Sequence, residues 1–106
     1  MKQEAIDWLK ANFSEESVYY EDGYYRFRKS GETSYELAFL VPCACGSNNV
    51  HPQITLEHHG SEYVATKLVD MEVTPPVIWS RNGETSQSID QALISLMEKF
   101  RQVKSQ

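Results

Sequence analysis

The spacing of apolar residues changes period twice along this chain, and that change constrains the fold more than any single motif does. Near the C-terminal end Ile89, Ala92, Leu93, Leu96, Phe100 and Val103 recur at three- and four-residue steps, which puts one apolar stripe on a helix. Ser88 followed by Gln91 predicts a capping box at its start. Ala5, Ile6, Leu9 and Phe13 show the same spacing between Lys2, Glu4, Asp7 and Lys10, so the first dozen residues also read as an amphipathic helix, with Trp8 at the border of the stripe.

Between these two segments the period is two. In VYYEDGYYRFR the pair Asp22-Gly23 sits between two aromatic runs and suits a two-residue hairpin turn. That turn would set Tyr20 opposite Tyr25 and Val18 opposite Phe27 on one face, with Tyr19, Glu21, Tyr24 and Arg26 on the other. From Tyr35 to Val41 the residues Tyr35, Leu37, Phe39 and Val41 alternate with Glu36, Ala38 and Leu40, a third strand closed by Pro42. Val50 to His58 returns after the CACGSNN loop, Tyr63 to Val69 or on to Val73 makes a fifth strand, and Thr74-Pro75-Pro76 interrupts any ladder. Val77, Ile78 and Trp79 then form a short edge strand before a turn at Asn82-Gly83.

The expected fold is therefore α+β: an N-terminal helix, an antiparallel meander of about five strands and a C-terminal helix, with both helices on one face of the sheet. Residues 1–106 read as one domain, and a chain of this size buries roughly two thirds of its unfolded surface. Hydrophobic residues make up 41% and charged residues 24%, a composition that folds rather than stays disordered.

Charge narrows the function. A net charge of -5 argues against phosphate-backbone binding as the main activity, and the one basic cluster, Arg26, Arg28 and Lys29, reads as a solvated strand edge. MKQEAIDWLK lacks the apolar core of a secretory signal, and Leu37 to Val41 is too short to span a bilayer. With two cysteines one residue apart and no spaced disulfide framework, a cytoplasmic location is expected.

The stretch from Leu37 to His59 holds both cysteines and all three histidines. Cys43, Cys45 and His51 are metal-capable, which raises a zinc-stabilised binding module as the alternative reading. A turn centred near Cys45 and Gly46 sets His51 across from Val41 and near Cys43, but leaves His58 roughly 20 Å down the strand. Three ligands can meet there, and a fourth would have to come from elsewhere. The same cysteines with His51 could form a nucleophile pair, yet no orienting group or oxyanion donor accompanies them. Two free thiols are expected instead of a bond that closes a small ring. His58 and His59 point to opposite faces of a strand, one half-buried and one exposed. The acid pairs Glu15-Glu16 and Glu21-Asp22 fall in turns as solvating residues, and no phosphate loop, serine elbow or helical metal motif is present.

What remains is surface. Tyr19, Tyr24, Ala38 and Leu40 share the sheet face away from the helices, and an exposed aromatic and apolar face marks a binding surface. The expected function is non-enzymatic: a small acidic protein-binding domain, acting as adaptor, inhibitor or accessory factor through that face or the cysteine-tipped hairpin. Its partner is another protein or a second copy of the chain, with no membrane and no nucleic acid. A weaker alternative is an acidic nucleic-acid mimic that inhibits a nucleic-acid enzyme.

Overall fold

The computed structural model describes residues 1–44 and 46–105. Helix α1 (Gln3–Asn12) leads into six strands, β1 (Val18–Tyr20), β2 (Gly23–Lys29), β3 (Ser34–Pro42), β4 (Asn48–His59), β5 (Glu62–Asp70) and β6 (Val77–Ser80), and helix α2 (Ser86–Lys104) ends the chain. Each strand pairs antiparallel with the next, giving one open sheet in the order β1-β2-β3-β4-β5-β6. The expected architecture is the observed one, with the edge strand at Val77 raising the strand number to six.

The periods explain the layers. Odd-numbered residues of β2 and β3 (Tyr25, Phe27, Tyr35, Leu37, Phe39) join Ile54, Leu56, Tyr63, Ala65 and Leu68 in one buried cluster. Ile6, Leu9 and Phe13 of α1 and Ile89, Leu93, Leu96, Met97 and Phe100 of α2 close over them. Phe100 sits at the junction, its ring centroid 4.6 Å from Phe13 and 4.9 Å from Tyr25. Both helices therefore cover the same face, and nothing among the described residues layers onto the other.

Two registers differ from the sequence reading. Tyr20 pairs with Gly23, Tyr19 with Tyr24 and Val18 with Tyr25, so the two-residue turn is Glu21-Asp22 and not Asp22-Gly23. The slip moves each partner by two positions, which keeps every side chain on its expected face. Only Glu21 leaves the strand. In the β3–β4 hairpin Val41 pairs with Asn49 instead of His51. Ala38 pairs with Gln53 and Leu40 with Val50, so His51 and Pro52 together oppose Phe39 as a bulge, a place where a residue without an N–H is tolerated. A second shift lies between Thr55 and Leu56, where Thr66 is the extra residue on β5.

Helix α2 starts two residues before the expected capping box, with Thr85 as its N-cap. The turn before it is held by Asn82, whose Oδ1 accepts the backbone N–H groups of Glu84 at 2.8 Å and Thr85 at 3.0 Å. β5 ends at Asp70, so Val73 lies outside it. No helix among the described residues is long and apolar enough to cross a membrane.

Candidate functional site

The uncovered sheet face is ordered in rows that run across the strands. One row joins Tyr19, Tyr24, Leu40 and Val50 on four successive strands. The next joins Arg26, Ala38, Gln53, Val69 and Ile78, from β2 to β6. The third is polar: Arg28, Glu36, Thr55, Lys67 and Ser80. Thus the half of the face nearest the β3–β4 tip is apolar and aromatic, while the other half is charged.

The first row is anchored by an edge-on pair of Tyr19 and Tyr24 rings, 5.2 Å apart, and the Tyr19 hydroxyl donates to the Glu21 carbonyl at 2.9 Å. Tyr19 remains 57% exposed, and Ile78 at the far edge 64%. Ala38 and Leu40 share this face as expected but are not open on it, at 0% and 6% exposed. The cause is local. Arg26 and Gln53 stand on the two strands flanking β3, about 10 Å apart at their Cα atoms, and Arg26 Nη2 donates to Gln53 Oε1 at 2.7 Å. To meet, the two side chains must lean across the strand between them, over the Ala38 methyl. Leu40 stands between Tyr24 and Val50 in its own row.

Arg26 is the cation of this apolar half. Burial pushes its guanidinium down from the ordinary arginine value, repulsion from Arg28 adds to that, and Glu36 opposes it. It still carries its charge at any physiological pH. Its Nε is buried with no acceptor among the described residues. Arg28, in the polar row, is instead ion-paired with Glu36 at 2.6 Å.

Of the expected metal set at the hairpin tip, the described residues include Cys43 and His51. Cys43 is disulfide-bonded, which corrects the expectation of a free thiol and leaves no thiolate for a metal or for nucleophilic attack. It also removes the thiol argument for a reducing compartment. Cys45 lies outside the described residues. His51, displaced by the bulge, places Nδ1 2.8 and 2.9 Å from the two carboxylate oxygens of Asp70 on β5. Asp70 Oδ1 also accepts the Glu72 N–H at 3.0 Å. Among the described residues no three His, Cys, Asp or Glu side chains gather as a metal site. His58 and His59 are both exposed, not one half-buried as expected, and the His58 ring stacks 4.8 Å from Tyr63.

Two open grooves escaped the sequence reading. One of about 680 Å³ runs between the helices, past Met1, Trp8, Ile94 and Met97. Another of about 320 Å³ lies beside β6, lined by Val73, Val77, Trp79 and Leu96. The exposed Ile94 signalled the first, since it falls off the α2 stripe. In comparisons with family models, curated proteins and solved structures, nothing matches the chain.

Proposed function

We propose that this chain is a non-enzymatic protein-binding domain whose docking surface is the uncovered sheet face. One observation carries the reading: the rows holding Tyr19, Tyr24, Val50, Val69 and Ile78 form a half-face rich in apolar and aromatic side chains, crossed by the Arg26–Gln53 pair, over which nothing among the described residues is laid. An antiparallel sheet with one solvated face ordinarily alternates to polar residues there. Here the Arg28 to Ser80 row does so throughout, and the middle row does so at Arg26 and Gln53 alone among its five residues.

The test uses residues that are on the face and not in the core. Leu40 is unsuitable, because a charge at a buried position would test folding. Tyr24→Glu and Ile78→Glu are the informative changes. Protein purified gently from its own cell is expected to carry a protein partner by native mass spectrometry, and the double variant to run alone with an unchanged melting temperature. A double variant that keeps its partner, or a wild-type chain that carries none, contradicts the proposal. Assembly of two copies would make the partner the chain itself.

A further inference from the structure

We propose that Arg26 is the recognition residue of this face and that its ligand is a carboxylate carried between apolar side chains on a partner protein. The inference rests on the docking role of the sheet face and names the chemistry of what docks there.

A guanidinium has five N–H donors in a planar fork. Arg26 uses one of them among the described residues, the bond from Nη2 to Gln53. Its partner there is a neutral amide, and no carboxylate of the described residues lies within ion-pair reach, whereas its neighbour Arg28 has Glu36. The site is also partly dry, with Tyr24 on one side along β2 and the Ala38 methyl beneath. A half-buried cation whose nearest carboxylate, Glu36, is bound to another arginine is costly to keep unless something stabilises it. Bidentate pairing with a carboxylate in a desolvated, aromatic setting is the strongest recognition a guanidinium offers, and arginine and tyrosine are the side chains that dominate such interfaces.

A second copy would not supply that group. The strand acids of this face, Glu36, Glu57 and Glu62, all stand at its polar end, away from the Tyr19 to Val50 row and without apolar neighbours arranged to fit it, and two of them are engaged, Glu36 by Arg28 at 2.6 Å and Glu57 by the Thr66 hydroxyl at 2.7 Å. The ligand therefore belongs to a different chain, as an Asp, a Glu or a C-terminal carboxylate flanked by apolar residues that lie along the Tyr19 to Val50 row.

The probe is phenylacetate, an apolar ring bearing one carboxylate, set against phenylacetamide, which has the same shape without the charge. Nitrogen-15-labelled protein is titrated with each and followed by NMR. Phenylacetate is expected to shift the Arg26 Nε–H and the Tyr24 and Gln53 amide signals saturably, and to bind roughly tenfold or more tightly than phenylacetamide. Arg26→Gln is expected to remove that difference while its spectrum stays dispersed. If the glutamine variant unfolds, Arg26→Lys takes its place, expected to weaken phenylacetate and leave phenylacetamide unchanged, because the planar fork is lost and the charge kept. Equal responses to both probes on this face would reject Arg26 as a carboxylate reader and leave the docking surface standing. No response on the face, or one centred on Arg28, would overturn the inference, and a silent face would count against the docking reading as well.

Discussion

A Cβ built on Gly23 would sit 2.6 Å from the Phe39 ring and 2.7 Å from the Leu40 carbonyl oxygen. Both distances are shorter than real Cβ contacts allow, and the carbonyl belongs to the paired strand, so it cannot swing aside. Gly23→Ala is expected to cost about 1–3 kcal/mol by overpacking, read as a lower urea midpoint at unchanged slope. A glycine needed only for turn geometry would predict a neutral result here, since Gly23 does not take a positive φ. The Asp-Gly pair was a fair turn signal, but it could not show that the glycine is wanted for the space beside Phe39. Two carboxylates matter at this scale too. The Arg81 hydrogen bond, against a smaller opposing effect of burial, holds the Asp90 carboxyl below its ordinary value. Burial raises Asp22, but the bonds from Lys99 and Tyr25 outweigh it and leave that carboxyl lowered as well. A depressed folded value means stability that is present above the unfolded carboxylate value near 4 and lost as pH falls below it. Asp90→Asn should therefore lower stability slightly at neutral pH, where the contribution is fully present, and flatten the acid limb of a stability-versus-pH curve as the variant and the wild type converge. Asp90 is 48% exposed, so the effect is small. An unaltered acid limb would show that the pair contributes nothing.

Helices α1 and α2 and the alternation of every strand were legible because their periods of 3.6 and 2 come from backbone geometry alone. Register was legible only up to parity. The β1–β2 slip keeps each residue on its face, so Tyr19 and Tyr24 were correctly set together although their partners were not. The β3–β4 slip carries more consequence. Nothing in the string says that His51 and Pro52 share one position opposite Phe39, and that bulge carries His51 to Asp70. The start of α2 shows the same limit. Ser88 and Gln91 satisfy the capping pattern, yet Asn82 and Thr85 hold the turn and the first helical residues: the Thr85 carbonyl accepts the Ile89 N–H at 2.9 Å. Asn82→Ala is expected to cost about 1 kcal/mol in chemical denaturation, and Ser88→Ala next to nothing. The reverse ranking would place the cap at Ser88 after all.

On the scale of the molecule, six strands and two helices make two layers, and among the described residues no third layer covers the aromatic half-face. The sheet edges are weaker candidates for a partner. β1 has three residues between acids, and β6 has four between Pro76 and Arg81, with the Ser80 carbonyl capped by the Thr85 hydroxyl at 2.6 Å. Short, flanked edges of this kind are protected against strand addition. The face was visible in sequence through Tyr19, Tyr24, Ala38 and Leu40, but its composition was not. The Arg26 and Gln53 side chains that roof Ala38 stand 27 residues apart and meet only once three strands are in register. The most direct test of the docking surface is hydroxyl-radical footprinting of the native complex against the free chain. The side chains of Tyr19 and Tyr24 are expected to lose reactivity in the complex while Trp8 and Ile94, on the helix side, keep theirs. Protection of Trp8 and Ile94 with Tyr19 and Tyr24 unchanged would place the partner on the helices and contradict the account.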